Sequence, residues 1–203
     1  MDDSERRAAF LAALNNQYFV LQSAASSTIT ESAARASLYM VSVSISLVAI
    51  ALVAQSRSAF GPFLAVVLPT LLVLGLFTVV RLVDTGVQNF VYLQSMAQIR
   101  RYYADLVPDA SQFFGTGPDN PLARLAGPAR RGPLEGLFTI GSMVALIDCV
   151  IAGAGAVLLA AALVGGFDRA PALSVGAGLV TGVVLFAIFV VYQRARYRVV
   201  TSR

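Results

Sequence analysis

Four stretches of this chain stay apolar for about the length a helix needs to cross a bilayer, and they restrict the fold more than any other feature. They run from about Ala36 to Ala54, from about Gly61 to Val83, within Gly136–Phe167, and from about Pro171 to Tyr192. A hydrocarbon core of about 30 Å takes roughly 20 helical residues. Backbone polar groups find no water there, so only helices and closed barrels can span it. Barrel strands alternate apolar with polar residues, whereas these runs are continuous. The expected fold is an all-α integral membrane protein, with four transmembrane helices arranged as two hairpins. Composition agrees, at 57% apolar and 13% charged, against about a quarter charged in soluble domains.

Arginine placement sets the expected orientation, since basic residues collect on the cytoplasmic side. All fifteen basic residues are arginine, and there is no Lys, His or Trp. Twelve arginines fall in the N-terminal segment (Arg6, Arg7, Arg35), the middle segment (Arg100, Arg101, Arg124, Arg130, Arg131) and the tail (Arg194, Arg196, Arg198, Arg203). Arg57 and Arg169 occupy the two short connections, and Arg81 lies near a helix end. Both termini and the middle segment are therefore expected in the cytoplasm. The opening MDDSERR is acidic and polar, unlike a cleaved signal peptide. The arginine bias in place of lysine points to a GC-rich bacterial genome, and hence to a multi-pass protein of a bacterial cytoplasmic membrane.

The chain divides accordingly. Residues 1–35 read as a cytoplasmic amphipathic helix, 36–83 as the first hairpin, and 84–134 as a cytoplasmic helix followed by a Pro/Gly-rich loop. Residues 135–193 read as the second hairpin and 194–203 as a basic tail. In the first segment Leu11, Leu14, Tyr18, Leu21, Ala25 and Thr28 recur at alternating three–four spacing, a narrow seam. It packs on the protein's own cytoplasmic helix, lies along the membrane surface, or joins subunits. The second span is expected to continue as helix to Leu106, with Pro69 bending it. Gly61–Leu106 at 1.5 Å per residue reaches about 69 Å, roughly 35 Å more than the bilayer needs. Beyond the span, Tyr92, Met96, Ile99, Tyr103 and Leu106 form an apolar face, while Gln94, Gln98, Arg101 and Asp105 form a polar one. Pro108 is expected to end this helix, and residues 108–133, with five prolines and four glycines, read as a loop.

Residues 81–103, RLVDTGVQNFVYLQSMAQIRRYY, resemble a family of uncharacterised four-span bacterial membrane proteins. The resemblance covers this part of the chain alone, and it implies the fold and topology without an activity. The plan of cytoplasmic helix plus membrane hairpins also resembles, in layout, the pore-forming effectors of bacterial nucleotide-signalled defence systems.

Few residues can carry chemistry. Asp148, in GSMVALIDCVIAGAG, falls in the inner half or near the middle of the third span in any register. An ionised carboxylate there costs several kcal/mol unless it is paired, solvated or protonated. It is either a cation or proton site, or a hydrogen-bonded residue that locks helix packing. Arg81 and Asp84 stand at the cytoplasmic end of the second span. Arg81 either snorkels to the interface or reaches inward to Asp148. Ser42, Ser44 and Ser46 form a polar strip, with Ser42 and Ser46 on one face; they line water or bond the preceding turn. Ala152, Ala156 and Ala160, then Ser174, Gly178 and Gly182, keep four-residue spacing as ridges for close helix packing.

Without His or Lys, and with one aspartate inside the membrane, the nucleophile–base, paired-carboxylate and metal sets of hydrolytic enzymes cannot be assembled in the bilayer. The single cysteine, Cys149, allows no disulfide framework or thiolate cluster. No enzyme activity, cofactor, metal or nucleic-acid partner is expected. The leading expectation is a homo-oligomer in the lipid bilayer around an ion-conducting or otherwise permeable path. The alternative is a non-conducting adaptor or scaffold that binds a cytoplasmic protein partner, and a small secondary transporter is third.

Overall fold

The computed structural model describes residues 2–106 and 139–201. Four long helices account for nearly all of them: α1 (Asp3–Val53), α2 (Arg57–Leu106), α3 (Ile140–Val164) and α4 (Pro171–Thr201). A 3-10 turn at Phe167–Arg169 precedes α4, and no strand occurs among the described residues. All four helices are long and apolar enough to cross a membrane. The loop expected at 108–133, with Arg124, Arg130, Arg131, Glu135 and Arg203, lies outside the described residues.

Several boundaries differ from those expected. α1 is one helix through the limit drawn at residue 35, and α4 continues past Tyr192 through Arg194, Arg196 and Arg198. Both extensions are polar segments of ordinary helix formers with no breaker in them. α2 starts at Arg57, not near Gly61, so only residues 54–56 separate it from α1. Pro62 and Pro69 both lie inside α2. Pro62 sits in the second helical turn, where the residue that would have accepted its missing N–H is at the helix start.

The chain forms two compact units. Among the described residues, 2–31 and 85–106 make the first, and 32–84 and 139–201 the second.

In the first unit, the seam positions Leu11, Leu14, Tyr18, Leu21, Ala25 and Thr28 are the shielded positions of their segment, and Ala25 and Thr28 are buried. They face the α2 segment of the same unit. The Tyr103 hydroxyl donates to the Leu11 carbonyl at 2.9 Å, and the Thr28 hydroxyl lies 3.4 Å from Asn89 Oδ1. The rings of Phe10 and Tyr102 meet edge to face, their centroids 5.7 Å apart. On α2, Met96 and Ile99 are buried while Gln94, Gln98, Arg101 and Asp105 are exposed. The apolar and polar faces therefore lie where the helical spacing puts them. Leu11, Leu14, Tyr18 and Leu21 are thereby half-buried within the chain.

In the second unit, all four helices contribute to one core: Ala36, Tyr39 and Val43 from α1, Leu71, Val79, Leu82 and Val83 from α2, Val144 and Ala145 from α3, and Phe189 from α4. Most apolar surface stays outside it. At most 22% of the most apolar window of any of the four helices is buried.

The ends of α3 are fixed locally. Thr139 caps its start: the Thr139 hydroxyl accepts from the Ser142 N–H at 3.2 Å, and Ser142 Oγ accepts from the Thr139 N–H at 2.9 Å. The arrangement is a capping box with serine in place of the usual acid. At the other end Gly165 adopts a left-handed φ of 85°, and the Gly166 N–H bonds back to the Ala161 carbonyl at 2.8 Å. Such a turn favours glycine because a Cβ is strained there. Pro171 then opens α4, at a position that lacks an intrahelical N–H partner in any case.

Candidate intramembrane carboxylate site

Asp148 is the ninth residue of α3, about 12 Å along the helix axis from its start and about 24 Å from its end. Its carboxylate points into the core of the second unit. Oδ1 accepts a hydrogen bond from the Tyr39 hydroxyl at 3.2 Å, and Tyr39 is almost fully buried, at 1% exposure. A buried tyrosine needs a partner for its O–H, and Asp148 is that partner.

The third member of the site is a missing side chain. On α2 the core-facing row runs Leu71, Gly75, Val79, at four-residue spacing. A Cβ at Gly75 would overlap the Asp148 carboxylate atoms. The carboxylate therefore occupies the volume that a side chain at 75 would fill. Helix arithmetic puts the three residues at one level. Tyr39 lies about 21 Å before the end of α1, Asp148 about 24 Å before the end of α3, and Gly75 about 27 Å after the start of α2.

Arg81 does not join them. It lies six residues beyond Gly75, about 9 Å along α2 and about 120° round it, and it is exposed. Asp84 pairs instead with Arg196 on α4, a residue that entered the sequence reading only through the arginine bias. Arg196 could have been suspected only if α4 were known to stay helical past Tyr192.

The serine strip, Ser42, Ser44 and Ser46, is half-exposed to exposed, and two of its hydroxyls turn back on their own helix. Ser42 donates to the Leu38 carbonyl at 2.9 Å and Ser44 to the Met40 carbonyl at 2.8 Å. Bonding of this kind satisfies a serine inside an apolar helix.

The α3–α4 contact brings glycines of both helices together. Gly178 faces Gly153, where a Cβ on Gly178 would sit 2.7 Å from the Gly153 carbonyl oxygen, and one on Gly153 would sit 2.9 Å from that of Gly178. One turn on along α4, Gly182 faces the Cys149 carbonyl, one turn back along α3. Ala152 is buried and Ala156 half-buried beside this line. Gly153 and Gly75 were both missed. Each was visible as a glycine inside an apolar helix, where it costs up to about 1 kcal/mol unless close packing requires it.

Searches against protein-family models, curated proteins and solved structures find no match to this chain. The resemblance at residues 81–103 thus brings no activity to the site.

Proposed function

We propose that this is a homo-oligomeric, multi-pass protein of a bacterial cytoplasmic membrane that moves an ion across it. Its four helices form two hairpins with both termini in the cytoplasm. The observation that carries the reading is Asp148, an ionisable group held deep among apolar residues of a membrane-length helix and met there by a single phenol. Carboxylates at such depth are costly, and they mark ion or proton pathways more often than other intramembrane residues do.

The reading carries a route for the path. Asp148 turns toward Tyr39 and Gly75 of its own four-helix unit. A path that uses Asp148 therefore passes between α1, α2 and α3 of one subunit and not along a boundary between subunits. The reading does not rest on the serines, of which Ser42 and Ser44 donate to carbonyls of their own helix. Assembly then has a different role, covering apolar flanks. Leu38 (70% exposed), Leu52 (67%) and Leu163 (79%) are among the apolar residues left outside the core, and lipid or a second copy would cover them.

Purified protein in liposomes tests the reading through subunit number and ion flux. We expect an oligomer with flux above that of empty vesicles; a monomer with none would sink the proposal. Protease protection tests the topology. Tags at either terminus or within residues 110–130 should be protected in intact cells, while sites near Arg57 and Asp168 should be cut. The adaptor reading has one observation in its favour. Phe10, Phe19 and Tyr102 leave aromatic surface exposed on the first unit, which suits a protein partner. A monomer without flux would turn the assignment that way.

A further inference from the structure

We infer that the species handled at Asp148 is the proton, and that Tyr39 and Gly75 make the site selective for it over metal cations. The inference rests on the ion-moving reading above and names its substrate.

The space around the carboxylate is the first argument. On the Gly75 side the carboxylate packs so closely that a single added methyl would overlap it, so no cation fits between the two residues. A metal cation needs room for itself and for several oxygen ligands; a proton needs neither. The donor set is the second argument. The described partners are one carboxylate and one neutral phenol, set among Ala36, Val43, Leu71, Val79, Val144 and Ala145. Among the described residues no group of three His, Cys, Asp or Glu side chains converges to hold a metal ion.

Proton chemistry, by contrast, balances with the groups at hand. A proton arriving from water forms an O–H bond with a carboxylate oxygen, giving the neutral acid; its release to water on the other side restores the carboxylate. No oxidant or second reactant is required. The Tyr39 phenol serves both states, because a hydroxyl both donates and accepts. The observed contact, Tyr39 hydroxyl to Asp148 Oδ1, suits the ionised carboxylate, and the phenol oxygen can accept from the protonated acid. Other titratable groups near the site are few. α1 brings Tyr39 with Arg35 one turn before it, α2 brings Gly75 at this level with Arg81 and Asp84 a turn or more further on, α3 brings the adjacent Cys149, and α4 brings Gly182 opposite the Cys149 carbonyl. One carboxylate thus carries the proton in the core, and one phenol keeps it satisfied.

The test uses the full chain in liposomes with an internal pH dye, an imposed pH gradient and valinomycin with K⁺ to balance charge. Wild type should dissipate the gradient at the same rate when sodium is exchanged for choline outside. Asp148→Asn should slow dissipation by about a hundredfold, the scale of losing a positioned proton-transfer group. Tyr39→Phe should fall between the two. Flux of Na⁺ or K⁺ without protons, or full proton flux in Asp148→Asn, would overturn the inference while leaving an ion-moving protein. Absence of any flux would overturn both. Should the Asn variant fail to fold, infrared spectra of wild type with ¹³C-labelled aspartate supply the second readout. Acidification should raise a carboxylic-acid band at the frequency of an apolar environment. Its absence across the pH range in which the protein stays folded would overturn proton binding at this site.

Discussion

The two units of this protein mark their buried faces by different signals. In the unit that holds residues 2–31 and 85–106, each helix has an apolar face and a polar one, and the buried residues, such as Met96 and Ile99, lie on the apolar side. In the unit that holds residues 32–84 and 139–201, apolar residues occupy every face. Leu38 and Ile45 are exposed while Tyr39 and Val43 beside them are buried. There the interior is marked by what departs from the apolar background: Gly75, Gly153, Gly178, Ser174, Asp148 and the phenol of Tyr39. Hydrophobic periodicity identifies a buried face only when the other face meets water. When both sides are apolar, small residues and polar partners carry the information instead.

The largest effect that tests this contrast belongs to Tyr39. Tyr39→Ala removes a buried ring and the only described donor to Asp148, and should cost about 3–5 kcal/mol, read as unfolding in mixed micelles with increasing denaturing detergent. Tyr39→Phe keeps the ring and loses the bond, and should cost about 1–3 kcal/mol. Equal costs would mean that the hydroxyl contact contributes everything and the packing nothing.

A paired substitution then asks which solvent each unit meets. Phe19 and Ile45 are almost equally exposed, at 60% and 64%, one in each unit. Ile45→Arg should cost about 2.5–3.5 kcal/mol, the scale for arginine near the middle of a transmembrane helix. Phe19→Arg should stay within about 0.5 kcal/mol, as surface substitutions in water do. A membrane-insertion assay alongside a stability measurement reads both. Equal penalties would erase the distinction drawn between the units.

Helix packing gives the next effect. Gly153→Ala and Gly178→Ala each push a methyl against the opposite carbonyl, costing about 1–3 kcal/mol. Together they should cost less than their sum, because helices separated to admit one methyl also admit the other. Strict additivity would show that the two glycines do not share one contact. The smallest effect belongs to Ser42→Ala, within about 0.5 kcal/mol and without change in ion flux, since that hydroxyl is bonded to its own helix.

Much of the fold was legible in the sequence for physical reasons that are easy to name. Four helices of membrane length follow from uninterrupted apolar runs, and the faces of α2 beyond Val83 follow from spacing against water. Asp148 stood out because a carboxylate in such a run is expensive. Its partner did not. Arg81 was the only basic residue close in the sequence reading, and the choice between Arg81 and a neutral donor depends on the rotation of α2, which apolar surroundings leave unmarked. On α3, Gly153 beside Ala152 went unmarked because alanine and glycine both look small, whereas at Gly153 a Cβ would meet the Gly178 carbonyl.

Positions 75 and 148 share one volume although they stand on different helices and 73 residues apart in the chain. Neither can be chosen alone. A larger residue at 75 forces a smaller one at 148, and the present pair is the extreme in which one position holds nothing and the other holds a charge-bearing group. A library randomised at both sites and selected only for folded protein should return combinations of nearly constant total size, trading bulk from one helix to the other. Selection for transport should shrink that set to those that keep an acid at 148. The difference between the two lists would separate what the fold asks of this site from what its use asks.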